Sequence, residues 1–116
     1  MRVFLFNIIL IILLYIIYNM YNITTYTKNK AKDLGVTVKP SNKKNKKIDV
    51  YKNNNLIASI GALGYNDYPT FINKNGISYA NDRRRLYKIR HSKDIAVKGS
   101  NENYANKLLW WVVYHS

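Results

Sequence analysis

The stretch Ile48-Asp49-Val50-Tyr51-Lys52-Asn53-Asn54-Asn55-Leu56-Ile57-Ala58-Ser59-Ile60 decides the fold class. Apolar and polar residues alternate before the three asparagines, and a second apolar run follows them. Asparagine tolerates the left-handed backbone that tight hairpin turns require, so the pattern predicts two strands around an Asn-rich turn. A lone hairpin is marginal in water and must lean on other elements. The head of the molecule, residues 48–116, is therefore expected to be α+β, with this hairpin and two short helices.

After the hairpin come Gly61, Gly64, Tyr65, Asp67 and Tyr68, then Pro69. The two glycines predict a structural turn with tyrosines packed on the hairpin. They fit neither a phosphate loop nor a dinucleotide fingerprint. Residues 78–93 read as a helix, with Asn81 able to cap it and Asp82 in its first turn. Arg83, Arg84, Arg85, Lys88 and Arg90 load it with positive charge, and His91 follows. Cations at these spacings repel one another. The face is either simply solvated or relieved by an anionic partner. Tyr79, Leu86 and Ile89 are candidates for a narrow buried stripe. A second helix is expected over residues 101–114, capped by Asn101 with Glu102 in its first turn. Its tail, Trp110-Trp111-Val112-Val113-Tyr114, could equally form a strand. Two adjacent tryptophans cannot both enter one small core, so one is expected inside and the other on a partner or a membrane surface.

Toward the N-terminus, residues 27–47 hold eight lysines with Gly35, Pro40 and Ser41 as breakers. They read as a basic linker, either a solvated spacer or a polybasic patch beside an anionic leaflet. Val3–Ile23 is a run of 21 residues without a charge. Phe4, Leu5, Ile8, Ile9, Leu10, Ile11, Ile12, Leu13, Leu14, Ile16 and Ile17 give it the character of a transmembrane helix, so residues 1–26 are expected to form a membrane anchor. Tyr15, Tyr18, Tyr21 and Tyr26 crowd its C-terminal end, at headgroup level. No small-x-small cleavage site follows, which argues against a signal peptide. The lysine-rich side should stay cytosolic.

The whole chain has 116 residues, 19 basic and 6 acidic side chains and a formal charge of +13. That balance points to an anionic partner: lipid headgroups, an acidic protein face or nucleic acid. There is no cysteine, which excludes disulfides, thiolate metal sites and cysteine nucleophiles. The two histidines, His91 and His115, have no carboxylates at ligand spacing, and no nucleophile elbow surrounds a serine. Neither a catalytic centre nor a cofactor, metal or small-molecule substrate is expected. Sixteen Asn, fourteen Ile, fourteen Lys and eleven Tyr suggest an AT-rich genome.

Three ordered motifs carry a resemblance: Gly61-x-x-Gly64-Tyr65-x-Asp67-Tyr68, then Arg84-x-x-Tyr87-x-x-Arg90-His91, then Ala105-x-Lys107-x-Leu109-Trp110. Over roughly residues 47–110 the chain resembles a small basic protein family of nucleocytoplasmic large DNA viruses, the giant viruses. It departs from that pattern at Ile60, where an aromatic is usual, over residues 69–80, and in lacking an acidic-Trp stretch after Arg90-His91. The resemblance implies a virion or assembly role. The expected function is a membrane-anchored minor capsid component that ties the internal membrane to the capsid shell. Its partners would be the lipid bilayer and capsid or other minor capsid proteins. It would occupy host cytoplasmic membranes during assembly. The rival expectation is a membrane-tethered nucleic-acid-binding protein, with Arg83–Arg85 on phosphates and tyrosines stacked on bases.

Overall fold

Alternating side chains pair across the Asn-rich turn and build the centre of the molecule. In the computed structural model, which describes residues 2–111 and the side chains of 7–15 and 20–111, strands β2 (Lys46–Lys52) and β3 (Asn55–Ala62) form the hairpin. Lys52 pairs with Asn55, leaving Asn53 and Asn54 as a two-residue turn, both with positive φ (52° and 65°). That is the geometry a twisted hairpin favours. The register slips once between Val50 and Tyr51, a bulge that places Ile48 opposite Ile60 and Val50 opposite Ala58. These four side chains are all buried.

The sheet has a third strand. β1 (Thr37–Pro40) pairs antiparallel with β2, giving the order β1-β2-β3. Before it comes α2 (Thr25–Leu34), capped by Thr24 and ended by Gly35 in the left-handed conformation. Residues 27–47, expected as a linker, thus fold as helix and strand. Thr27 and Ala31, four apart, form the buried face of α2. The Thr27 hydroxyl donates to the Leu108 carbonyl at 2.9 Å. Lysines at Lys28 and Lys32 stay exposed on the same helix, so a high lysine content concealed a small packed stripe.

Four helices follow the sheet. They are α3 (Tyr68–Asn75), α4 (Ile77–Arg90), α5 (Ser92–Ile95) and α6 (Asn101–Leu109). Asp67 caps α3, with Pro69 in the first turn. The residue capping α4 is Gly76, not Asn81, whose side chain instead accepts a bond from the Tyr68 hydroxyl at 2.6 Å. The cap of α6 is Ser100, one residue before the expected Asn101. Asn101 instead accepts from the Ser59 N–H at 3.2 Å and so covers part of the free edge of β3. Residues 112–114, where the second helix was expected to end or turn into a strand, lie outside the described residues, as does His115.

The N-terminal run is helical as α1 (Arg2–Asn19). The expected transmembrane helix is corrected here: among the described residues, no helix is long and apolar enough to cross a membrane. The uncharged run of 21 residues is not one helix. α1 has 18 residues, or ~27 Å at ~1.5 Å per residue, against a hydrocarbon core of ~30 Å. The rest of the run belongs to the head. Ile23 is buried in the core, and Tyr21 packs against that core. The fold is α+β, with a three-stranded antiparallel sheet and six helices among the described residues.

Candidate functional site

The three motifs meet at one cleft. Its cavity of about 510 Å³ lies between the ends of β2 and β3, the 61–67 turn, α4 and α6. Gly61, Tyr65 and Asp67 come from the first motif, Tyr87, Arg90 and His91 from the second, and Ala105, Leu109 and Trp110 from the third. Nothing in their spacing along the chain revealed that they would share a wall.

Backbone geometry at Gly61 starts the wall. Its φ is +77°, and a Cβ there would stand 2.9 Å from Lys47 Cδ and 3.1 Å from Leu109 Cδ1. Only glycine lets α6 close this tightly on the hairpin. Gly64, also at positive φ, sits in the turn and does not line the cleft.

Asp67 organises the next segment. Its Oδ1 accepts from the Thr70 N–H (3.2 Å) and hydroxyl (2.7 Å), which caps α3. Its Oδ2 accepts from the Tyr21 hydroxyl at 2.5 Å and pairs with Lys47 Nζ at 2.9 Å. Lys47 also donates to the Tyr65 carbonyl and lies 5.1 Å from the centre of the Tyr21 ring. Lys47 and Asp67 are 5% and 1% exposed, so this ion pair is buried with its hydrogen bonds satisfied. The sequence signals were Asp67-x-x-Thr70 with Pro69 between, a helix start, and Lys47 in phase with Asp49 on the hairpin.

The floor is aromatic. Trp110 stacks on Tyr87 with ring centres 4.2 Å apart and planes 6° apart, and Phe71 tilts against Trp110 at 6.2 Å. His91 approaches Tyr87 at 4.5 Å. Of the two tryptophans, Trp110 is therefore the core one. Trp111 is half-buried, with Lys30 Nζ 4.4 Å above its ring.

The cations of α4 divide by helical phase. Ala80, Arg84, Tyr87 and His91 turn inward, spaced four, three and four apart. This corrects the expected stripe, since Tyr79, Leu86 and Ile89 are all exposed. Arg84 turns into the fold. Its Nε donates to the Trp110 carbonyl at 2.8 Å and satisfies the C-terminal end of α6. Arg83 lies over Phe71 at 5.7 Å and lines the cleft with the exposed Arg90. Arg85 is exposed and outside the cleft. Burial, and then the neighbouring Arg84 charge, pull the Lys88 amine below the ordinary lysine value. Lys46, Asp94 and Glu102 complete the charged lining and were not anticipated. Among the described residues no group of histidine and carboxylate side chains could hold a metal ion.

Burial pushes the Tyr87 phenol up to about 12, helped by the Glu102 and Asp94 charges. Burial likewise raises Tyr21, with Asp67 adding to it, and Tyr26. The unfolded chain loses these protons near pH 10, while the folded chain keeps them. Stability should therefore fall as pH rises from 10 toward 12, with the folded state binding more protons. Thermal melts across that window, paired with phenolate absorbance, should show the melting temperature dropping. A flat melting temperature would show that the three phenols titrate freely.

Compared with family models, curated proteins and solved structures, the chain matches none.

Proposed function

We propose that this chain is a structural component of a large DNA virus particle, joining an internal lipid layer to the protein shell. Helix α1 sits in the apolar layer, and the cationic head faces acidic shell protein. The viral setting rests on the three motifs, whose shared cleft gives them a common physical purpose. The head is assigned to binding, not to a reaction.

One observation carries the reading. Ile8, Ile9, Leu10, Ile11, Ile12, Leu13 and Leu14 are all exposed, from 37% at Ile8 to 65% at Ile11. Seven successive residues make nearly two turns of a helix, so among the described residues every face of this segment is open. A helix that is apolar all round belongs in an apolar medium and not against one partner groove. Removing these side chains from water is worth on the order of 5–10 kcal/mol. Tyr21 and Ile23 then fix the exit of α1 into the core. The exposed Lys28 and Lys32 on α2 suit anionic headgroups. Insertion, and not a crossing, is what the reading requires.

Flotation of the full chain with phosphatidylcholine–phosphatidylserine vesicles tests it. The chain should float and stay bound at high salt, where a purely lysine-held protein is released. Ile9→Asp with Leu13→Asp costs about 2.5–3.5 kcal/mol for each residue in lipid and should leave the protein in the pellet. Release of the unaltered chain by salt would refute the lipid role of α1.

A further inference from the structure

We infer that the cleft is the docking site for an acidic peptide segment of the shell, one that carries an apolar residue between carboxylates. This deepens the proposed function and rests on it for the identity of the partner. The cavity of about 510 Å³ has an apolar floor at Leu109, Ala105 and the Tyr87–Trp110 stack. Arg83, Arg90 and Lys46 stand on its walls, and none of them is in an ion pair among the described residues. Lys47, the remaining lysine of the wall, is already neutralised by Asp67.

The same geometry argues against a nucleic-acid strand. Base stacking needs free ring faces. Among the described residues Tyr65 is the one well-exposed ring of the cleft, too few for a stacked run of bases, since Tyr87 has Trp110 against it at 4.2 Å and His91 at 4.5 Å, and Arg83 lies 5.7 Å from the Phe71 ring centre. A phosphate backbone also needs a continuous cationic track. Arg84 is turned inward, which interrupts the run of three arginines, and Asp94 and Glu102 lie on the cleft wall and repel phosphates. A peptide meets those two acids with its own N–H groups or a basic residue, so they orient the segment and select against polyanions of uniform charge.

The test uses the full chain in detergent and a short fluorescent peptide with a Leu-Phe pair flanked by glutamates. Anisotropy should report saturable binding. Arg90→Glu and Arg83→Glu should each weaken it by on the order of tenfold. Arg85→Glu, outside the cleft, should change it by less than about twofold. Arg90 and Arg85 are exposed, so these variants leave packing intact. Ala62→Trp, at an exposed position on the cleft wall, should block binding by volume without changing charge. Equal losses in all three arginine variants, or no effect of Ala62→Trp, would show diffuse attraction and overturn the site. Displacement of the peptide by oligothymidylate at equal charge would overturn the peptide assignment in favour of nucleic acid. Vesicle binding through α1 is unaffected by either result, so failure here is separable from failure of the lipid reading.

Discussion

Asp67→Ala should lower stability by about 3–5 kcal/mol, among the largest losses expected for any single substitution outside the apolar core. Asp67 does three jobs at once. It caps α3 through Thr70, accepts the Tyr21 hydroxyl, and neutralises Lys47 inside the fold. Removing it leaves a lysine ammonium 5% exposed with no counter-charge, besides the loss of about 1 kcal/mol from the cap. The cost comes from the abandoned charge, so adding Lys47→Met to the Asp67→Ala chain should restore part of the stability. Urea unfolding followed by tryptophan fluorescence reads both. A single variant within about 1 kcal/mol of the unaltered chain would mean that water reaches the pair.

Trp110→Ala should cost about 3–5 kcal/mol, whereas Trp111→Ala should cost about 1 kcal/mol. The neighbours differ in what they touch. Trp110 is 8% exposed, stacks on Tyr87 and leans on Phe71, and its carbonyl receives Arg84. Trp111 is half-buried beneath Lys30. The comparison is made by thermal and urea unfolding of the two variants side by side. Equal losses would contradict the assignment of Trp110 to the core and with it the floor of the cleft.

The hairpin was legible in the sequence because alternation and an asparagine turn are local signals, and local signals sufficed to form it. The basic helix was legible in extent but not in phase. Its apolar residues, Leu86 and Ile89, point outward, while Arg84 and His91 turn in, so a rule that buries apolar and exposes charged residues rotates the helix wrongly. Arg84 goes inward because α6 ends in a carbonyl that needs a donor, and no pattern within α4 announces that. The lysine-rich segment concealed α2 and β1 for a related reason. Two small residues, Thr27 and Ala31, are enough to pack a helix on α6, and composition averages them away. The N-terminal run was legible as apolar helix, but its last residues are claimed by the head through Tyr21 and Ile23, contacts that span more than forty positions in sequence for Tyr21 and Asp67. The motifs marked the cleft residues without revealing that the cleft exists, since three segments must fold together before a wall forms.

The proposed function divides the labour, with α1 in lipid and the cleft-bearing head in water. The chain has no cysteine, so a single spin label can be placed by Ile11→Cys or by Tyr65→Cys, both at well-exposed positions. Electron paramagnetic resonance of each in vesicles, with oxygen as the apolar relaxant and a nickel chelate as the aqueous one, measures depth directly. With α1 in lipid, the label at position 11 is relaxed by oxygen and shielded from nickel, while the label at position 65 shows the reverse. A label at position 11 that remains open to nickel in the presence of lipid would contradict it.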